Sequence, residues 1–401
     1  MAGNGLQGSL LGVRAESEGF GLAVTGIVMT GYFAGFLAGS RVATSFVSSV
    51  GHIRVFAALA SLASATVLAH ALWIDPVTWA LMRFVSGLCM AGLYVVAESW
   101  LNEIATNASR ARVLAVYMVA MMGGLSVGQL LLNAADPAGY RLFALASILV
   151  SVALVPMALS AAANPPVVTL QRLSIRELAG IVPTGVVSSF LVGASHGALM
   201  GMGAVYAAAV GLPASRISVF LAAPMIGAVV FQWPIGWCAD HLPRRLVIVV
   251  VAATAAATAT VLGVLSADSP AAVVAMFVLG GTTFPLYSLA IAYTNDWLPP
   301  ARYAPASAAL VRTNGIGAVI GPVTAAAAMR LVDPGAFFAV LVVTHGLIVV
   351  YVLWRILFRE APPEDSTVRV LPFPARASAA AVGLLRRRRG NGARLKRGVP
   401  A

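Results

Sequence analysis

Runs of about twenty residues without a single charge recur from one end of this 401-residue chain to the other, and few folds can accept such a pattern. They lie at 19–40, 55–74, 113–135, 143–163, 178–215, 217–239, 246–267, 271–295 and 334–354; two further runs, 76–100 and 303–329, are as apolar but carry Arg83 and Arg312. A helix of about 18 or more apolar residues is long enough to cross a bilayer core. Hydrocarbon offers no partner to a peptide group, so only helices and closed barrels span it, and runs that are continuous rather than alternating exclude the barrel. With 60% hydrophobic and 10% charged residues, the chain is too apolar for an ordinary globular core. The expectation is an all-α membrane protein with eleven complete helices. Residues 3–13 add only a half-span of about 16 Å at 1.5 Å per residue, so the first helix reads as incomplete.

The two cysteines, Cys89 and Cys238, both fall in apolar runs, which gives neither a disulfide framework nor a thiolate metal site. Much of the net charge of +12 sits after residue 358, in Arg386 to Arg389, Arg394, Lys396 and Arg397. That reads as a basic, disordered cytoplasmic tail over 359–401, with anionic membrane lipid rather than nucleic acid as its partner. Arginines between the spans give the orientation. Arg41, Arg54, Arg110, Arg112, Arg172, Arg176, Arg244, Arg245 and Arg302 occupy one set of alternate loops, against Arg14, Arg141, Arg216 and Arg330 in the other. The richer set is expected in the cytoplasm, with the C-terminus on that side of a bacterial inner membrane.

An internal repeat divides the chain. Gly87–Gly128 laid on Gly280–Gly321 at an offset of 193 matches at 10 of 42 positions, among them Leu93-Tyr94 with Leu286-Tyr287, Asn102 with Asn295, Gly124 with Gly317 and Gly128 with Gly321. Asp136-Pro137 finds Asp333-Pro334 a little further on. Equivalent positions share a membrane side, so the repeat is parallel, as in transporters made of two six-helix halves. The halves are expected at 1–161 and 179–358, joined by a cytoplasmic linker at 162–178 that contains Asn164-Pro165-Pro166. Carried back at offset 192, the repeat pairs Gly19 with Gly211 and sets Met1 opposite Gly193, in the middle of the seventh helix. Upstream codons of the gene are therefore expected to supply about 15 further apolar residues to the first helix.

These residues resemble the major facilitator superfamily over nearly the whole chain. Gly236 to Arg245, with Asp240 and Arg244-Arg245, is similar to the family's G-x-x-x-D-x-x-G-R-R cytoplasmic loop, with Pro243 in place of the second glycine. The equivalent loop between the second and third helices keeps Gly51 and Arg54 but has Thr44 and Ser48 where glycine and aspartate are common. Arg83 with Gly87 looks like the R-x-x-x-G signature of the fourth helix. Gly317-x-x-x-Gly321-Pro322 marks the eleventh helix, but the fifth has Gln129 where many antiporters have proline. The stretch around Glu98-Ser99-Trp100 and Tyr117 is similar to an uncharacterised bacterial permease branch. The resemblance implies the major facilitator fold and secondary transport of a small solute by rocking of the two halves, with one chain sufficient. The alternative on the same fold is a non-transporting receptor or scaffold.

Charges at membrane depth cost roughly 2.5–3.5 kcal/mol on insertion scales, so Arg83 and Glu98 must face a cavity or a partner. Arg83 reads as a substrate or proton site and Glu98 as a proton-linked gate, or each as a neutraliser of a neighbour. Arg312, opposite Val119 in the repeat, suggests a site for a substrate anion, or a bond to exposed carbonyls near Gly315 and Gly317. His196 is a titratable candidate at cavity depth, or a packing residue. Tyr94 and Tyr287 match across the repeat, and in the resembling family their helices line the cavity. Glu103 and Asp296 end the fourth and tenth helices near Arg54 and Arg244-Arg245, and read as halves of charge clusters that hold the inward gate shut, or as solvated helix ends. Two G-x-S-x-G matches, at Gly193 and Gly124, lie inside apolar helices without the strand and turn a hydrolase needs. Lys396 is the only lysine, so no P-loop exists, and the histidines lack metal-site spacing. Neither enzyme, cofactor nor metal is expected.

Overall fold

The computed structural model describes residues 1–104, 110–159 and 173–358; residues 105–109, most of the linker and the basic tail lie outside the described residues. Twelve long helices follow in order. The first half holds α1 (Ala2–Ser17), α2 (Leu22–Val50), α3 (His52–Leu72), α4 (Pro76–Ile104), α5 (Arg110–Leu130) and α6 (Arg141–Val152, continued by Leu154–Ala158). The second holds α7 (Pro183–Ala209), α8 (Ala214–His241), α9 (Arg244–Val264), α10 (Pro270–Thr283, continued by Pro285–Asp296), α11 (Tyr303–Leu331) and α12 (Ala336–Phe358). A short helix, Ile175–Ile181, leads into α7 from the linker and is capped by the Ser174 hydroxyl, which accepts from the Glu177 N–H at 3.0 Å. Ten of the long helices are apolar enough to cross a membrane; α1, with 16 residues, and α11 are not among them. Much of α11 is enclosed by protein, and a helix so enclosed needs less apolar surface.

Helix starts and turns repeat with the sequence. Pro76 and Pro270 each open a helix, where the missing N–H costs nothing. The residue before each is a cap: Asp75 Oδ2 accepts from the Thr78 N–H at 2.8 Å and the Ser269 hydroxyl from the Ala272 N–H at 3.2 Å. The bond from Thr78 holds the Asp75 carboxyl below the ordinary carboxylate range. The repeat-related Asp136-Pro137 and Asp333-Pro334 pairs each turn the chain through the Asp side chain, Asp136 accepting from the Ala138 N–H at 2.9 Å in an Asx turn and Asp333 from the Ala336 N–H at 3.1 Å as a helix cap. Gly19 and Gly211 take φ +72° and +79° at the equivalent α1–α2 and α7–α8 turns.

Packing makes the repeat physical. Within the first half α2 lies on α4, α3 on α6 and α1 on α5; within the second, α8 lies on α10, α9 on α12 and α7 on α11. Where α2 crosses α4, a Cβ on Gly87 would fall on the Tyr32 carbonyl oxygen; where α8 crosses α10, a Cβ on Gly280 would fall on that of Pro224. Likewise Gly128 faces Ala2 and Leu6 of α1, and Gly321 faces Ala194 and Ala198 of α7. Offsets of 192 and 193 connect each pair. α1 thus packs as α7 does from Gly193 onward. Between apolar helices in lipid there is no hydrophobic drive to associate, so close backbone approach at small residues is what holds them.

The C-terminal ends of α2, α4, α8 and α10 share one face of the bundle, here called the linker face; the opposite face is called distal. The halves meet through α2 on α11, α5 on α8 and α1 on α7. Described contacts between them run from Leu37 on Gly315 at mid-depth, through Thr30 on the Val319 carbonyl, to Gly26 on Pro322 and Ala326 and Asn133 on Ser218 near the distal face.

Gly87→Leu is expected to destabilise the chain by at least about 1–3 kcal/mol, because the obstacle is backbone and cannot rotate away. Gly123→Ala, which meets nothing within 4 Å, is the control and is expected to be neutral. Thermal midpoints and monodispersity in detergent check both, and equal behaviour of the two variants would contradict glycine-mediated packing.

Candidate functional site

At mid-depth between the halves lies a cavity whose empty volume, open mouth included, is about 730 Å³. α2 contributes Phe33, Phe36, Leu37 and Ser40, and α5 contributes Met121, Met122 and Leu125. From the second half come His196 and Met200 of α7, Phe284 of α10, and Val311, Asn314, Gly315 and Ala318 of α11. Three pairs of wall residues are equivalent at offset 193: Met121 with Asn314, Met122 with Gly315 and Leu125 with Ala318. The cavity therefore sits on the pseudo-twofold relation between the halves.

Local structure aims these side chains. Pro285 has no N–H to continue the helix, so α10 breaks at Phe284 and presents that ring inward. His196 stacks on it, with centroids 4.7 Å apart and planes 18° from parallel. Asn314 Nδ2 donates to the Ser189 carbonyl at 3.1 Å, which fixes the carboxamide in α11 against α7. The Ser40 hydroxyl donates back to Leu37 O at 2.8 Å, as serine in an apolar helix does.

Of the residues expected to line a transport path, only His196 reaches this cavity. Arg83 lies behind the wall, buried, with its guanidinium carbon 4.5 Å from the centroid of Tyr32. A cation over an aromatic face is stabilised by about 2 kcal/mol when desolvated, and that contact contributes to holding Arg83. Tyr94 packs edge-on against Phe36 at 5.6 Å and donates to Met1 Sδ at 3.3 Å, one layer behind the wall. Tyr287 is fully enclosed in the core of the second half. Arg312 points away from the cavity and donates to the Leu173 carbonyl at 2.5 Å, so the bond to a carbonyl is the arrangement observed, with a different carbonyl from those near Gly315 and Gly317. Glu98 is fully buried on α4 and accepts from the Tyr117 hydroxyl of α5 at 2.8 Å.

Near the linker face the second half holds a charge cluster. Arg244 donates to Asp296 Oδ1 at 2.5 Å and to Ala292 O at 3.0 Å, and lies 3.7 Å from Asp240. Gly236 stands one helical turn before Asp240 on α8. Arg245 donates from Nε to the Tyr293 hydroxyl at 3.0 Å and sits 5.7 Å from the rings of both Tyr293 and Trp297. These contacts tie α8, α9 and α10 of one half to one another. In the first half Gly51 turns α2 into α3 with φ +95°, a conformation that L side chains rarely adopt, and Arg54 is exposed. The Glu103 side chain lies outside the described residues. Among the described residues no group of three His, Cys, Asp or Glu side chains is placed to hold a metal.

The wall residues Phe33, Phe36, Phe284, Met200 and Asn314 escaped the sequence reading. Aromatic and methionine residues in an apolar span carry no signal of their own. Asn314 did carry one, being an amide within an apolar helix opposite Met121.

Two parallel six-helix halves with a cavity on the seam between them are the architecture of a membrane transporter. The Major Facilitator Superfamily profile matches residues 185–390, just over half of the chain, and the chain belongs to that superfamily. Among relatives, an uncharacterized MFS-type transporter YcaD of Escherichia fergusonii is 27% identical over 305 residues, covering 74% of this chain and 77% of its own length. An uncharacterized MFS-type transporter of Yersinia pestis is 25% identical over 335 residues, covering 82% and 85%. A crystal structure of a mutant of nucleoside transporter NupG superposes with TM-score 0.71 at 13% identity, covering 89% of this chain and 98% of the other; NupG itself gives 0.69 at 14%, covering 88% and 96%. At such identity the likeness to NupG is one of fold.

Breaking the Arg244–Asp296 pair is expected to cost about 3–5 kcal/mol in Arg244→Ala, which removes the cation from a buried carboxylate, and less in Asp296→Asn, where Asp240 at 3.7 Å still faces Arg244. The double variant is expected to lose less than the sum of the two. Thermal midpoints of the four proteins in detergent check the cycle, and additive losses would show that the two groups are not coupled.

Proposed function

We propose that this chain is a secondary transporter that moves a small solute through the cavity between its halves by alternating access. The observation that carries the reading is the cavity wall itself, built at equivalent positions of α5 and α11 and thus able to be exposed by rocking of either half. In the arrangement described, contacts between the halves run from mid-depth to the distal face, which corresponds to a solute path closed distally. The arginine bias supports a cytoplasmic linker face and C-terminus in a bacterial inner membrane, and the relatives are bacterial. The halves 1–161 and 179–358 then act as the rocking bodies, with 162–178 as their tether, 359–401 as a lipid-facing basic tail and one chain as the working unit.

Asp240, Arg244 and Asp296 bias the equilibrium between the two states rather than bind solute, because they brace the end of one half and stand apart from the cavity. Gly51, Arg54 and Glu103 are assigned the corresponding role in the first half. Arg83 keeps its place as a fixed positive charge under Tyr32, and Arg312 as a tie to the entrance of α7. Tyr94 and Tyr287 buttress the wall.

Proton coupling is assigned to Glu98. A carboxyl enclosed in an apolar helix layer and bonded to the Tyr117 phenol has two environments available to it, dry in one state and wetted in the other, and alternation between them takes up and releases a proton. Tyr117 orients the carboxyl. Glu98→Gln is expected to abolish accumulation driven by a pH gradient while retaining counterflow exchange, which needs no net proton movement. Proteoliposomes of the full chain, screened against a panel of metabolites and drugs with both assays on the same preparation, provide the test. Accumulation unchanged in Glu98→Gln would remove Glu98 from the mechanism and leave His196 as the titratable group of the cavity.

A further inference from the structure

The walls of the cavity say what kind of solute they accept. No charged side chain lines the cavity among the described residues, although four stand near its level. Arg83 is covered by Tyr32 at 4.5 Å, Arg312 is turned to the Leu173 carbonyl, Glu98 is bonded to Tyr117, and Arg41, next to Ser40, is exposed. Tyr32, Phe33 and Phe36 form one aromatic layer, with Tyr32 5.5 Å from Phe33 and 6.3 Å from Phe36. The layer insulates the Arg83 charge from the cavity. An ion drawn from water into such a site would lose its hydration and gain no counter-charge.

What the walls do offer is flat and polarizable. Phe284 and His196 present a stacked pair, Met121, Met122 and Met200 supply adaptable thioethers, and the Asn314 carboxamide, with one Nδ2 hydrogen committed to the Ser189 carbonyl, keeps Oδ1 as an acceptor beside its second N–H. We infer that the cavity selects uncharged, planar, amphipathic solutes, whose ring packs on the Phe284–His196 pair and whose hydrogen-bond donor reaches Asn314. The inference rests on the transporter reading and narrows its substrate class. Aromatic faces also attract organic cations. An organic cation would still give up its hydration for those faces alone, because no carboxylate lines the cavity among the described residues.

The test uses three fluorescent probes on the full chain in nanodiscs of zwitterionic lipid: uncharged N-phenyl-1-naphthylamine, its sulfonated anionic relative 8-anilino-1-naphthalenesulfonate, and the planar cation ethidium. Val311→Trp, placed on a half-exposed wall position, plugs the cavity and subtracts partition into lipid. The uncharged probe is expected to bind saturably, at least tenfold more tightly than either ion, and to lose that binding in Val311→Trp. Phe284→Leu, which keeps bulk but removes the ring, is expected to weaken it about 2- to 10-fold, in line with the strength of ring stacking. Unchanged thermal midpoints show that the variants are folded. Plug-sensitive binding of the anion or the cation as tight as that of the uncharged probe would overturn the inference and leave the transporter reading standing. Absence of plug-sensitive binding for all three would overturn it too, and a chain that then also moved no solute from the panel in proteoliposomes would lose the transporter reading as well.

Discussion

Hydrocarbon cannot hydrogen-bond a peptide group, and the rest of this structure follows from that constraint. Each span closes its own backbone bonds as a helix, and once it has done so little remains to draw one helix to another. Association then depends on how near two backbones can come. Gly87 against Tyr32 and Gly280 against Pro224, Gly128 against α1 and Gly321 against α7, are where the helices touch most closely. Because these glycines recur at the repeat offset, the two halves acquire the same internal packing. Their symmetry in turn leaves a shared seam with the cavity on it.

The same medium governs the charges. An ion buried in a helix bundle is tolerated only with a partner, and the partners found here differ in kind. Arg83 rests on the face of Tyr32, Arg244 on the carboxylate of Asp296, Arg245 on the Tyr293 hydroxyl and two aromatic rings, and Glu98 on the hydroxyl of Tyr117. Each of these four contacts joins helices of the same half and braces it internally. The cavity wall is left to apolar, aromatic and amide groups.

Comparison of particular elements shows where sequence reading succeeds and where it stops. The spans at 55–74 and 246–267 became α3 and α9 nearly residue for residue, since hydropathy reports the medium a helix faces. Asp240, Arg244 and Asp296 were placed together from the loop motif and the helix end, and they do meet. Arg312 and Tyr287 were expected at the solute path or in helix packing and carbonyl bonding, and neither lines the cavity, because a residue's depth along a helix is legible from its position in the span but the direction it faces is not. Arg312 turns outward to Leu173, a residue 139 positions earlier in the chain, which no local pattern could indicate.

The sequence by itself determined the medium, the number and order of the helices, and the division into two equivalent halves, because composition, span length and an internal repeat are properties of residues taken along the chain. Only the tertiary structure decided which side chains share the cavity. Phe33 of α2, Met121 of α5, His196 of α7, Phe284 of α10 and Asn314 of α11 are brought to one wall by the rotation of each helix about its axis. That rotation is set by close contacts such as Gly193 on Asn314, Gly197 on Ala318 and Gly128 on α1, and a contact between helices far apart in the chain is a fact about pairs of surfaces that no single segment contains.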